Sequence, residues 1–201
     1  MEDDAQFTGK YESSGRIGAR LLDRFYESVR ALGEPSLMPG GSVHEIGCGA
    51  GFSTERLRQW IPGDVCFSAS DFGESLVLKA RQRNPEVEID QRSAYRLGLP
   101  DKSIDMLVML EVLEHLDRPL EALQELARVA RKNVLISTPS EPLWRILNMA
   151  RGKYVAAFGN TPGHINHWSG RSLRHVVSPW FKVVSYRQPV PWTILLLEPR
   201  V

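Results

Sequence analysis

The chain has 201 residues, of which 42% are hydrophobic, and its 25 Lys and Arg residues nearly balance its 24 Asp and Glu residues. A chain of this length can bury the core of one α/β domain, so we expect a single domain over residues 1–201. The formal net charge of +1 gives no strong field of either sign, which disfavours nucleic acid or an anionic membrane as the main partner.

The cysteine content and the lengths of the apolar runs indicate the cellular location of the protein. Two cysteines, Cys48 and Cys66, are too few for a disulfide framework, and we expect both to be reduced thiols. The N-terminal sequence MEDDAQ is acidic and has no apolar core behind it, unlike a secretion signal. The longest apolar runs, MLVML and TILLL, are too short to span a bilayer. These features predict a soluble cytoplasmic protein without a membrane span, either a monomer or a homodimer.

Apolar periodicity predicts helices and strands that alternate along the chain. The first helix is RIGARLLDRFYESVRAL, and the prolines and glycines of GEPSLMPGG end it. Later helices are predicted at FSTERLRQWI, GESLVLKARQR, PLEALQELARVAR, PLWRILNMA and RSLRHVV, with Asp117 and Ser169 as candidate caps of the third and fifth of these. Strands are predicted at SVHEIG, DVCFSASD, EVEIDQRS, SIDMLVMLEV, NVLISTP, FKVVSYR and TILLLEP.

This alternation predicts a Rossmann-like α/β fold with a doubly wound, seven-stranded sheet. The strands up to residue 137 alternate with helices and should be parallel, with right-handed crossovers. Only QPVPW joins the last two strands, which is too short for a helical crossover, so they should pair antiparallel. In such sheets ligands bind beyond the carboxyl ends of the strands. Candidate site residues are therefore those that end strands.

Three glycines end the first strand, in HEIGCGAGFSTERL. Gly47, Gly49 and Gly51 can adopt the positive φ of a tight turn and let a ligand lie on the backbone, near the N-terminus of the next helix. The spacing does not match the dinucleotide fingerprint, because Phe52 stands where its third glycine belongs. The turn also lacks the Gly-Lys-Ser/Thr of a phosphate-binding loop. A ligand without phosphate is therefore favoured.

Two acids define that ligand further. Glu45 lies two residues before the turn and would attract an ammonium group while repelling a phosphate. Asp71 ends the second strand, where an acid can accept both hydroxyls of a ribose. A ligand with a ribose, a cationic end and no phosphate is S-adenosylmethionine, which is the predicted cofactor.

Four segments, HEIGCGAG, SASDFGESL, RSAYRLGLPDKSIDMLVMLEVLEHL and VLISTPS, resemble in this order the class I S-adenosylmethionine-dependent methyltransferases. The resemblance is greatest to the small-molecule group that includes the ubiquinone and menaquinone biosynthetic enzymes, and it spans roughly residues 10–186. It implies an enzyme that methylates a small molecule. The turn, Cys48 included, would hold the methionine and ribose portions of the cofactor, with Glu45 supporting the turn or the amino group, Asp71 on the ribose and Phe72 on the adenine.

The resemblance implies further roles. Leu110 and Glu111, at the end of the fourth strand, would face the sulfonium and the acceptor. Ser93 and Ala94 stand where the family often has Asp-Ala at the adenine; serine departs from that pattern, so backbone, water or Asp90 could hold the adenine amine instead. Tyr11 and the first helix, in residues 1–33, would form a lid.

Acids and histidines follow the fourth and fifth strands, in EVLEHLDRP and GHINHWS. One interpretation is structural, with His115 and His167 fixing loops. A second is general base catalysis, with His164 as the preferred base and His115 as the next candidate. A third is a Mg²⁺ or Mn²⁺ site formed by Glu111, Glu114, His115 and His164. This set resembles the metal sets of small-RNA 3′-terminal 2′-O-methyltransferases and of some ubiquinone-type O-methyltransferases.

The insertion at residues 140–168 is the predicted substrate cover, which we call the cover segment. Its apolar and aromatic side chains favour O-methylation of an apolar or aromatic acceptor: Trp144, Ile146, Leu147, Tyr154 and Phe158. The same residues could be core contacts or a dimer face. Two other functions stay open at this point, a metal-dependent RNA 2′-O-methyltransferase and a non-catalytic interaction protein with a methyltransferase fold.

Overall fold

The structure, a computed structural model, describes residues 16–152 and 154–200. Its helices are α1 (Arg16–Gly33), α2 (Phe52–Arg58), α3 (Glu74–Arg83), α4 (Pro119–Val129), α5 (Leu143–Ala150) and α6 (Gly170–Val177). Its strands are β1 (Ser42–Ile46), β2 (Cys66–Asp71), β3 (Glu88–Gln91), β4 (Ile104–Leu110), β5 (Ala130–Pro139), β6 (Phe181–Arg187) and β7 (Trp192–Pro199). Short 3-10 turns lie at Glu34–Ser36, Leu113–His115 and Val155–Ala157. Tyr11, predicted in the lid, lies outside the described residues.

The strands form one seven-stranded sheet in the order β3-β2-β1-β4-β5-β7-β6. Strands β1 to β5 pair in parallel, and β7 is antiparallel to both β5 and β6. The predicted Rossmann-like fold and the antiparallel last pair are therefore confirmed. The chain order reverses between β1 and β4, which opens a crevice at the carboxyl ends of these two strands.

Helices cover both faces of the sheet because the central strands are apolar on both sides. Leu107 and Met109 of β4 pack with α4 and α6 on one face. Met106 and Val108 of the same strand pack with α1 and α2 on the other face. A third cluster joins α3 to β2 and β3. The run MLVML is thus a strand buried on both faces, and not a membrane segment.

One of the two predicted helix caps is confirmed and the other is not. Ser169 caps α6, because its side chain accepts a hydrogen bond from the backbone N–H of Ser172 and the reciprocal bond completes a capping box. Asp117 does not cap α4, so that prediction is wrong. Its carboxylate accepts a hydrogen bond from the Tyr95 hydroxyl instead. Arg118 stands at the cap position, and Pro119, which has no N–H to satisfy, begins the helix.

The first helix has two parts with different surroundings. Its C-terminal half buries Phe25, Tyr26 and Val29 in the core against the sheet, whereas Ile17 near its start is exposed. The described part of the predicted lid is therefore anchored to the domain. In residues 16–152 and 154–200, none of the helices combines the length and the apolar character that a membrane crossing requires.

Candidate functional site

The glycine turn lies between β1 and α2, at the reversal of strand order. The backbone N–H groups of Gly47 and Cys48 both donate to the Ser70 carbonyl of β2. All three glycines have positive φ, at 75°, 54° and 83° for Gly47, Gly49 and Gly51. A glycine is needed at each position because other residues rarely adopt this conformation.

The surroundings of the three glycines differ in a way that locates the ligand. A Cβ on Gly47 would lie 2.4 Å from a Val112 methyl, and one on Gly51 would lie 2.9 Å from the Ala80 Cα. These two glycines are required for packing within the protein. A Cβ on Gly49 would meet no described atom within 4 Å. The space over Gly49 is therefore open, and this is where a ligand can lie on the backbone.

Glu45 and Cys48, both predicted at the cofactor, are buried beneath the turn. The Glu45 carboxylate accepts a 2.6 Å hydrogen bond from the Thr54 hydroxyl of α2, so it ties β1 to the helix that follows the turn. Burial raises the pKa of Glu45 to about 7. Cys48 packs with Ala69 and Ala80 in the core beside α3, and burial raises the pKa of its thiol. The Cys48 side chain therefore supports the turn from the core side.

Asp71 fixes the geometry of the turn from the neighbouring strand. Its Oδ2 accepts a 2.8 Å hydrogen bond from the Gly49 N–H, and its Oδ1 accepts a 2.9 Å bond from the Gly73 N–H. The structure thus brings together the two features predicted to bind the amino acid and the ribose. Phe72, the next residue, is 75% exposed, which leaves its ring free of packing within the described chain and able to cover a flat ligand.

The adenine side of the predicted site is less well defined. The Ser93 hydroxyl accepts a 3.3 Å hydrogen bond from the Tyr95 N–H, and Ala94 packs against the core. Asp90 lies in an ion pair, with its Oδ2 2.6 Å from the Arg92 guanidinium. Asp90 and Ser93, the two side chains considered for the adenine amine, are therefore both engaged by neighbouring groups of the protein.

The end of β4 places an acid in the crevice. Leu110 is buried in the core, and Glu111, with φ of 59°, turns away from the strand. Glu111 Oε1 accepts a hydrogen bond from the Ser137 hydroxyl at 2.9 Å, and Oε2 accepts one from the Trp192 indole N–H at 2.8 Å. Sequence reasoning missed Trp192, because nothing in the local pattern indicates that β7 lies beside β5.

Three of the four predicted metal ligands lie together, and we call Glu114, His115 and His164 the acid and histidine cluster. One potential ligand atom from each of Glu114, His115 and His164 lies within 4.8 Å of the others. The loop that carries His164 is held there by the Glu114 carbonyl, which accepts hydrogen bonds from the N–H groups of Ile165 and Asn166. Glu111, the fourth predicted metal ligand, is not in this group, because its oxygens bond to Ser137 and Trp192.

Hydrogen bonding defines the protonation of His115. Its Nδ1 lies 2.9 Å from the Gly163 carbonyl oxygen, which can only accept, so Nδ1 carries the proton. In the neutral ring Nε2 is then the nitrogen without a proton, and this atom lies 4.0 Å from Glu114 Oε1. The ring of His164 is buried and meets that of His115 edge-on, with centroids 4.8 Å apart. His167 bonds to Asn160 and lies outside the cluster.

Aromatic rings line the crevice next to the cluster. The Trp144 ring stacks on His164 at 6.0 Å between centroids and lies 5.9 Å from Trp192, which in turn lies 4.9 Å from Phe25 of α1. The Trp144 indole N–H donates to the Thr161 hydroxyl at 2.8 Å, which fixes the ring. Three distant segments, α1, α5 and the start of β7, therefore form one aromatic wall.

Comparisons with known proteins find methyltransferases among the proteins similar to this chain. Residues 44–137 match the family model described as "Methyltransferase domain". A probable S-adenosylmethionine-dependent methyltransferase from Mycobacterium tuberculosis is 36% identical over 104 residues, which cover 49% of this chain and 35% of that protein. The chain thus spans about a third of the length of this relative.

Solved structures share the fold. A methyltransferase from Aquifex aeolicus, described as S-adenosylmethionine-dependent, is 22% identical, with a TM-score of 0.69 over 85% of this chain and 88% of that one. The magnesium protoporphyrin IX methyltransferase of Synechocystis PCC 6803, with S-adenosylhomocysteine bound, is 18% identical, with a TM-score of 0.71 over 98% of this chain and 94% of that one.

The sheet topology is Rossmann-like, and residues 44–137 are similar to a methyltransferase domain. This segment contains the glycine turn, Asp71 and the end of β4, and it is similar to S-adenosylmethionine-dependent methyltransferases, as the resemblance of its motifs implied.

Proposed function

We propose that the protein transfers a methyl group from S-adenosylmethionine to an oxygen of a small apolar or aromatic molecule. The observation that carries the proposal is the open space over Gly49, bordered by Asp71. The described residues fit the cofactor, because a backbone free of side chains can meet its amino-acid portion and a carboxylate can accept its ribose hydroxyls. When bound, the cofactor supplies an electrophilic methyl group on a sulfonium.

The aromatic wall supports an apolar acceptor. Trp144, Trp192 and Phe25 lie in ring contact beside the acid and histidine cluster, so a flat apolar molecule could pack on them with its hydroxyl toward the cluster. Glu111 is held between Ser137 and Trp192 at the end of β4 and would support the positioning of acceptor and sulfonium. In-line positioning is the main demand of methyl transfer, since the protein needs no covalent step.

A base for the acceptor hydroxyl is available in the same cluster. His115 Nε2 is the unprotonated nitrogen of the neutral ring, and His164 lies beside His115 and against the aromatic wall. We favour His164 as the group that takes the hydroxyl proton, because its ring contacts the wall on which the acceptor would pack, with His115 as the alternative.

A divalent metal is a second way to activate the hydroxyl. Glu114, His115 and His164 could ligate Mg²⁺ or Mn²⁺, because their ligand atoms are within 4.8 Å of one another and a carboxylate with imidazoles suits such ions. The bond from His115 Nδ1 to the Gly163 carbonyl is the second contact that metal-binding histidines usually make. A bound metal would lower the pKa of a coordinated hydroxyl.

Calorimetry tests the cofactor and the metal in one series. S-adenosylhomocysteine is titrated first, and Mn²⁺ is then added to the saturated protein and to the Glu114→Gln and Glu111→Gln variants. A metal site predicts Mn²⁺ binding that Glu114→Gln abolishes and Glu111→Gln retains, because Glu111 lies outside the group. Failure to bind S-adenosylhomocysteine would overturn the proposal and favour a non-catalytic interaction protein.

An acceptor screen follows from the metal result. Metal binding directs the screen to catechol-like acceptors and RNA 3′ ends, and absence of metal binding directs it to single phenols. Turnover of polar acceptors such as sugars, with none of aromatic ones, would refute the apolar acceptor. Tight, salt-sensitive RNA binding would favour the RNA methyltransferase instead.

A further inference from the structure

The cover segment exposes an unusual number of large apolar side chains. Seven of them are exposed within 23 residues, and Phe158, at 72%, and Val155, at 59%, are the most exposed; the set is Leu143, Ile146, Met149, Tyr154, Val155, Phe158 and Ile165. Isolated exposed apolar residues are ordinary on protein surfaces, but a concentration of this kind marks a surface that binds something apolar.

These side chains belong to one surface. Leu143, Ile146 and Met149 recur every three residues and so lie along one side of α5, while Trp144 and Asn148 point toward the crevice and the protein interior. The turn that follows is fastened to α5, because Arg145 Nε donates to the Phe158 carbonyl at 2.9 Å and Asn148 Nδ2 donates to the Gly159 carbonyl at 2.9 Å. Phe158 and its neighbours are therefore held next to α5.

The chain that follows Glu141, at the start of the cover segment, carries charge of one sign up to residue 197. Residues 142–197 contain seven Arg and Lys residues and no Asp or Glu, whereas the rest of the chain has 18 basic and 24 acidic residues. The net charge of +1 thus conceals a positive region of 56 residues. The arginines that form ion pairs in the described part of the chain, Arg30 to Arg131, all lie outside this region.

Several of these cations lie at the same edge of the sheet as the cover segment. Arg145 and Arg151 belong to it, and Arg171 is the second residue of α6, which follows it. Arg187 ends β6, which runs parallel to β5, so it also lies at the carboxyl edge. The exposed Val190 follows in the turn to β7. The carboxyl edge therefore combines apolar side chains with positive charge.

We propose that the cover segment docks on an anionic lipid bilayer and that the enzyme takes its apolar acceptor from there; this rests on the proposed function. Exposed apolar side chains next to Arg residues are the combination that binds the interface of anionic membranes without crossing them. A second copy of the chain is the less suitable occupant, since a two-fold contact would bring like charges together. Docking would bring Trp144, on the other side of α5, and the aromatic wall close to the lipid.

Vesicle sedimentation with the full chain tests the proposal. Vesicles of phosphatidylcholine containing about one quarter phosphatidylglycerol should bind the protein, and pure phosphatidylcholine vesicles should bind it at least ~10-fold more weakly. Added salt should weaken binding to the anionic vesicles. Ile146→Asp combined with Val155→Asp, and separately Arg151→Glu, should reduce binding about 10-fold or more.

Matched controls are available on other faces of the protein. Leu78→Asp changes an apolar side chain of α3 with 53% exposure, and Lys132→Glu reverses a charge near the amino end of β5. Both should bind vesicles as the wild type does. Equal binding to neutral and anionic vesicles, or equal losses in the controls, would overturn the proposal, as would a dimer that the Ile146 and Val155 substitutions dissociate.

Different outcomes overturn the docking proposal and the proposed function. Calorimetry with S-adenosylhomocysteine on the same preparations should give wild-type affinity for every variant, because none of these residues borders the glycine turn. Vesicle binding that fails while the cofactor analogue binds overturns only the docking proposal. Failure of the analogue to bind overturns the proposed function, whatever the vesicles show.

Discussion

Alanine at Gly49 should separate cofactor binding from the stability of the turn. Gly49 has φ of 54°, so an alanine there costs about 1–2 kcal/mol of unfolding free energy through backbone strain. The added Cβ meets no described atom within 4 Å, so no packing cost is added. The same methyl group would occupy the space proposed for the cofactor, so affinity for S-adenosylhomocysteine should fall by ~10-fold or more, which corresponds to about 1.4 kcal/mol.

Two other glycines make this prediction specific. Gly40 has φ of 64° and open space around a Cβ, but it precedes β1 at the opposite end of that strand. Gly40→Ala should also lower the unfolding free energy by about 1–2 kcal/mol, with no change in the affinity for S-adenosylhomocysteine. Gly47→Ala adds a clash with Val112 at 2.4 Å to the strain and should lose about 2–5 kcal/mol.

The assay pairs urea unfolding with calorimetry of S-adenosylhomocysteine. If Gly49→Ala binds the analogue as tightly as the wild type, while Gly40→Ala shows the expected loss of stability, then the ligand does not approach Gly49 and the placement of the cofactor is refuted. Equal stability of Gly47→Ala and Gly49→Ala would refute the packing argument instead.

Three further predictions concern acids at the strand ends. Asp71→Asn places a side-chain NH₂ group against one of the two backbone N–H groups that now donate to the carboxylate. Affinity for S-adenosylhomocysteine, measured by calorimetry, should therefore fall about 10-fold or more, and unchanged affinity would count against Asp71 as a ribose ligand. Burial raises the folded-state pKa of Glu45 from 4.5 to about 7, so the unfolded chain loses this proton first and the wild type loses stability as pH rises between those values. The stability of Glu45→Gln relative to the wild type should therefore increase by about 3 kcal/mol from pH 4.5 to 7 in urea unfolding, and a flat difference would contradict the raised pKa. Trp192→Phe keeps a ring against Phe25 but removes the hydrogen-bond donor to Glu111. The kcat for an acceptor found in the screen should fall ~5-fold or more while cofactor affinity stays unchanged, and an equal kcat would exclude a positioning role for the bond between Trp192 and Glu111.

Much of the candidate site could be predicted because it is local in sequence. The spacing of Gly47, Gly49 and Gly51 disfavoured a pyrophosphate ligand, and Asp71 at the end of the next strand completed the cofactor hypothesis. Parallel strands bring their carboxyl ends to one edge, so residues that end strands become neighbours whatever lies between them. The structure places the Asp71 carboxylate on the Gly49 N–H, as this rule requires.

Residues that depend on loop paths were less predictable. Glu111, Glu114 and His115 lie within five residues of one another, yet Glu111 turns toward β5 and β7 while the other two meet His164. The positive φ of Glu111 turns its side chain away from the other two residues. The periodicity of apolar residues in the sequence does not predict the backbone angle of a single residue. The cover segment was likewise expected to line the acceptor site, but most of its apolar side chains, Phe158 among them, face outward.

The sequence by itself determined the order and type of the elements, the two-faced burial of β4 and the chemistry of the glycine turn, because each depends on residues close together in the chain. Only the tertiary structure decided that β7 enters the sheet between β5 and β6. That pairing brings Trp192 to Glu111 across 81 positions and joins α1, α5 and β7 in one aromatic wall. Such contacts arise from the packing of whole elements, which local patterns of apolar residues do not encode.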